Sequence, residues 1–143
     1  MKENKSIYRI SLFSGILLIL TALLHMVNIN DTLVAIKTGD IAASHAPNIV
    51  IIWIFSGVCM FLLGTWILFL SPDLRRLSRK AWWQAFIISL ALGITALCCW
   101  LQYPRAVHVL FFLFLGLVLF IPLVLFSAQF KKQTKSKMPE NTR

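Results

Sequence analysis

Charge is what this sequence has least of. Charged residues make up 13% of the 143-residue chain, about half the roughly 25% usual in soluble domains. Acidic residues are scarcer than basic ones, five against fourteen, and none lies deep in an apolar run. So thin a polar inventory cannot cover a water-facing surface, which excludes a soluble globular domain. The lack of a buried acid also counts against a proton-coupled transporter, which commonly carries an intramembrane carboxylate. Cysteine is sparse as well: Cys59, Cys98 and Cys99. The last two are neighbours with Cα atoms about 3.8 Å apart, too close for the roughly 4.4–6.8 Å of a relaxed disulfide. With no Cys-x-x-Cys present, a thiol oxidoreductase of the usual pattern is disfavoured.

Catalytic signatures are missing too. Ser44-His45 shows no nucleophile elbow, and no histidine pair has a His-x-x-x-His spacing. A small multidrug exporter would place a glutamate in its first helix. A glutathione-transferase-like membrane enzyme would carry paired Glu, Asn and Arg on its helices. Neither set occurs.

What is present is apolar length. Hydrophobic residues form 59% of the chain, and four segments reach the roughly 20 residues that a helix needs to cross a bilayer core. They run about 7–27, 49–70, 82–101 and 106–126. The runs are continuous rather than alternating, so helices are expected and a barrel is not. The fold class expected is all-α, an integral membrane four-helix bundle in one domain over 1–130. A basic, disordered tail follows at 131–143. The first run follows the basic start MKENK but is too long for a signal-peptide core and has no nearby small-x-small site, so it reads as a retained helix.

Basic residues sort the ends of the runs. Twelve of the fourteen lie in the N-terminal stretch, in the loop holding Arg75, Arg76, Arg79 and Lys80, and in the tail. Only Lys37 and Arg105 lie on the other side. Both termini are therefore expected in the cytoplasm, in a multi-pass plasma membrane protein. Tyr8, Trp82 and Trp83 would mark the inner boundary, Trp100 and Tyr103 the outer. The basic residues form no aromatic-interleaved patch along an amphipathic surface, so nucleic acid is not an expected partner. The bilayer is, with other membrane proteins or a second copy as further partners.

Each run carries a stripe at three-and-four spacing, which shares a helix face. Ser11, Ser14, Gly15, Leu18, Thr21, Ala22 and His25 form the first. Trp53, Gly57, Met60 and Gly64 form the second. Ala85, Ser89, Gly93, Ala96 and Cys99 form the third, and His108, Phe112, Gly116 and Leu119 the fourth. Small residues let helices approach closely in lipid, so the stripes are expected to face the interior. Pro122 is expected to kink the last helix. An internal echo relates SLFSGI at 11–16 to SLALGI at 89–94, as a duplicated hairpin would.

The polar residues gather on the expected outer side. His25, His45 and His108 all fall near that boundary, together with Asp31, Asp40, Asn28, Asn48 and Gln102. Two imidazoles from different helices could hold a haem iron, with His25 and His108 as the candidate cofactor ligands. His45 or Asp31 could complete a transition-metal set with them. A quinone or lipid headgroup could use the same groups. The competing reading is that the histidines bond across helices.

In length, four-helix layout and the segment SGILLILTALLH at 14–25, the chain resembles the small bacterial membrane proteins grouped as DoxX-like. The resemblance implies a small bacterial inner-membrane protein and assigns no functional residue. The function expected is that of a non-catalytic membrane subunit or accessory protein. An outer-face metal-, haem- or quinone-binding protein is the first alternative, a small-solute transporter the second.

Overall fold

A computed structural model describes residues 4–42, 44–102 and 107–130, except for the side chains of 107 and 108. Among the described residues the main helices are, in order, α1 (Lys5–Val27), α2 (Ile29–Thr38), α3 (Ala46–Arg75), α4 (Arg79–Gln102) and α5 (Val107–Leu125). No strand occurs among the described residues. The all-α class with apolar helices of a membrane bundle is therefore what the chain adopts. Among the described residues three helical stretches are long and apolar enough to cross a membrane: Lys5–Thr38, Ala46–Arg75 and Arg79–Gln102. Val109–Leu125 is a shorter apolar one. Helices are the necessary form, because hydrocarbon offers backbone amides no partner outside their own segment.

The one element not expected is α2, inside the stretch read as an outer loop. Asp31 in its first turn and Lys37 in its last complement the helix dipole. Gly39 then ends it in the left-handed conformation, φ 86°, where a residue without Cβ pays no steric penalty. The expected tail at 131–143 and residues 103–106, most of the expected tight turn QYPR at 102–105, lie outside the described residues.

The chain divides into two compact units, 15–66 and 1–14 with 67–143. In the first, α1 and α3 meet at small residues. A methyl group at Gly64 would lie 2.9 Å from the Gly15 carbonyl oxygen and 3.1 Å from the Ile19 nitrogen. Both are backbone atoms, so that approach requires glycine. Leu18, Ala22 and Met60 are buried, as the expected stripes require.

In the second unit α4 packs on α5. A methyl at Gly116 would lie 2.9 Å from the Gly93 nitrogen and 3.2 Å from the Ser89 carbonyl oxygen. Ala85, Ser89 and Ala96 are buried on α4, while Cys99, expected on the same face, is exposed. Asn4 ties the start of α1 down: its Oδ1 accepts from the Ile7 amide at 3.1 Å, and its own amide donates to the Arg75 carbonyl at 3.0 Å. Its side-chain Nδ2 donates to Gln129 Oε1 at 3.1 Å.

Between α3 and α4 the chain reverses through Leu77, which takes φ 58°. Ser78 N donates to Asp73 O at 2.9 Å and Leu77 N to Leu74 O at 3.0 Å, the paired bonds of a Schellman cap. The strain of a Cβ at positive φ is offset by these bonds and by packing of the Leu77 side chain, 3% exposed. The helix also runs through Pro72, past the boundary near Leu70 expected from hydropathy.

Candidate functional site

His25 sits in the last turn of α1 and is partly buried. Its imidazole stacks on the Trp53 indole of α3, with centroids 4.2 Å apart and planes 12° from parallel. The two residues also bond reciprocally. Trp53 Nε1 donates to the His25 carbonyl at 2.8 Å. His25 Nε2 lies 3.2 Å from the Trp53 carbonyl oxygen and 2.8 Å from Ser56 Oγ.

These contacts select a tautomer. A carbonyl oxygen can only accept, so Nε2 beside it must carry hydrogen. Ser56 Oγ donates to the same Trp53 carbonyl at 2.8 Å, which leaves its lone pairs to accept from His25. His25 Nε2, the Trp53 carbonyl and Ser56 Oγ then have mutually consistent roles. The energetic reason is local: a helix end leaves its last carbonyls without amide partners. The Trp53 indole satisfies one of these carbonyls and buries its own N–H in doing so.

Gly57 gives Met26 its place beside the clamp. A methyl there would meet Met26 Sδ at 2.5 Å and His25 Cδ2 at 3.5 Å. Beside the clamp is an open apolar cleft of about 200 Å³, walled by Ala22, Leu23, Met26, Val58, Phe61 and Leu62. It offers a ligand dispersion contacts and no polar anchor.

The other expected site residues are placed differently. Asp31 is exposed at the start of α2 and His45 is exposed just before α3. The His45 carbonyl accepts from Ile49 N at 3.1 Å, so its backbone opens that helix. His108 opens α5, and its side chain lies outside the described residues. Asp40 accepts from the Thr38 hydroxyl at 2.6 Å, closing the end of α2. Among the described residues no three His, Cys, Asp or Glu side chains gather as a metal set. For His25 to act as a ligand through Nε2, that nitrogen would have to lose its hydrogen and leave both Trp53 and Ser56.

Ser56 was not legible as a partner. It lies one position off the stripe through Trp53 and Gly57, and only its i−3 relation to Trp53 hints at the shared carbonyl. Trp53 was legible as an inward residue but not as the partner of His25, 28 positions away.

A second aromatic cluster lies on the α4–α5 pair. Trp82 Nε1 donates to the Leu123 carbonyl at 2.7 Å. Its ring stacks on Phe86 at 5.1 Å and 18°, and Phe86 reaches Phe120 at 5.2 Å. Arg79, Trp83, Val124, Ser127 and Phe130 complete a cleft of about 360 Å³. Trp82 was expected as an interfacial anchor; here its N–H is turned inward onto a carbonyl near the end of α5.

Compared with known proteins, the chain matches no family model, no curated protein and no solved structure.

Proposed function

We propose that the chain is a non-catalytic integral membrane protein, a subunit or accessory factor that works by association with other membrane proteins. The observation that carries this reading is the use made of His25. The imidazole nearest to a site in the sequence is committed to Trp53 and Ser56 in a satisfied interhelical clamp. A polar group that joins α1 to α3 through Nε2 suits a scaffold; a cofactor role would have to run through the other ring nitrogen, Nδ1.

The basic residues support a multi-pass placement in a plasma membrane with both termini cytoplasmic. Size and layout, similar to the DoxX-like proteins, favour a bacterial inner membrane. In that orientation the His25 clamp lies toward the outer face.

Two measurements test the reading. Photo-crosslinking from exposed helix positions such as Phe55 and Ile87 in native membranes should trap a discrete protein partner. Detergent-purified protein should show neither a Soret band nor stoichiometric metal. A Soret band or bound metal that disappears in His25→Ala would overturn the non-catalytic reading in favour of a cofactor protein.

A further inference from the structure

We propose that the cleft between α4 and α5 is a site for one anionic phospholipid, with the phosphate at Arg79 and an acyl chain against Trp82, Phe86 and Val124. The proposal rests on the chain crossing a membrane and not on what it does there.

The cleft has two chemically distinct parts. Its wall is aromatic and aliphatic, formed by Trp82, Trp83, Phe86, Val124 and Phe130, and Arg79 stands among its lining residues. A volume of about 360 Å³ falls within the roughly 300–1,000 Å³ range of small-molecule sites. Part of the wall is held in place by the protein itself. Trp82 is fixed by its bond to the Leu123 carbonyl and by stacking on Phe86, and Phe130 is buried, 1% exposed. A lipid therefore meets a shaped surface at little ordering cost.

Charge selects the occupant. Arg79 is exposed, Lys80 follows it, and Arg75 and Arg76 precede it in the same basic turn. A guanidinium offers paired donors that match phosphate oxygens, and tryptophan favours the headgroup level of a bilayer. The chain's own tail fits poorly, because KKQTKSKMPENTR carries five basic residues against one acid and would meet like charge. A second copy would bring the same basic turn to the mouth.

The test is native mass spectrometry of the full chain in a non-ionic detergent, with phosphatidylglycerol and phosphatidylcholine of identical acyl chains added separately. We expect one retained phosphatidylglycerol per chain and about fivefold weaker retention of phosphatidylcholine, since one basic side chain near an anionic headgroup contributes about that factor. Arg79→Gln should remove the preference. Val124→Trp, which fills the cleft, should lower retention of both lipids while leaving helical circular dichroism unchanged. Equal retention of the two lipids by the unmodified chain would overturn the proposal. So would an Arg79→Gln variant that keeps the preference, displacement of the lipid by inorganic phosphate alone, or a dimer that excludes lipid from the cleft.

Discussion

At the scale of the residue, the chain uses tryptophan N–H groups to close helix ends. Trp53 donates to His25, two residues before α1 ends at Val27, and Trp82 donates to Leu123, two residues before α5 ends at Leu125. Each indole lies near the start of its own helix, where the interface of the bilayer suits an amphipathic ring. His25 adds stacking and a second hydrogen bond at the first of these joints. Interhelical hydrogen bonds in membranes contribute about 0.6–2 kcal/mol, so the clamp is a stabilising joint of ordinary strength. His25→Phe retains a ring against Trp53 and should lose about that amount in a detergent unfolding titration. His25→Ala loses the stacking as well and should be the less stable variant. Wild-type stability in His25→Ala would remove the clamp from the account.

At the scale of the element, two helix pairs are brought close by glycine on both partners. Gly15 faces Gly64 in one unit, and Gly93 faces Gly116 in the other. Gly15 and Gly93 are the corresponding positions of SLFSGI and SLALGI. Ser11 and Ser89 correspond as well: both are buried and both donate to the carbonyl three residues back, Tyr8 and Phe86. The sequence echo thus marks equivalent packing roles. The two glycines of the α4–α5 contact are not equally demanding, however. A methyl at Gly116 meets backbone at 2.9 Å, while one at Gly93 meets nothing within 4 Å. Gly116→Ala should therefore cost about 1–3 kcal/mol, the usual penalty of overpacking, and Gly93→Ala should be neutral or slightly stabilising through helix propensity. Thermal unfolding of the two variants in the same detergent reads the contrast; equal effects would contradict the close approach.

Between the first two apolar runs, at 28–48, local signals mark α2. Ile29, Leu33 and Ile36 stand at helical spacing, Asp31 and Lys37 are placed to suit a dipole, and Gly39 marks the stop. These signals are local and were readable. The amide and hydroxyl content of the stretch, which in isolation reads as loop, masks them.

At the scale of the whole molecule, the expected topology is testable without reference to activity. In a background free of Cys59, Cys98 and Cys99, Arg76→Cys should react with a membrane-impermeant maleimide only after the cells are opened. Ser44→Cys should react in intact cells. Labelling of the loop at 76 in intact cells would reverse the orientation, and with it the outer placement of His25.

Composition and run length by themselves pointed to an all-helical chain with apolar helices long enough to cross a membrane, because hydrocarbon leaves an apolar backbone few alternatives. The boundaries expected near 70 and 82 moved, since α3 runs on to Arg75 and α4 starts at Arg79. Spacing by itself also marked the inward faces through Ser11, Ala22, Gly64 and Ser89. Only the tertiary structure decided what the polar side chains on those faces do. A helix that is apolar nearly all round carries little information about the height at which its neighbour sits, and that height depends on backbone approach at a few glycines. Once Gly15 meets Gly64, Trp53 comes level with His25, and the imidazole takes part through Nε2 in a hydrogen-bonded joint between α1 and α3.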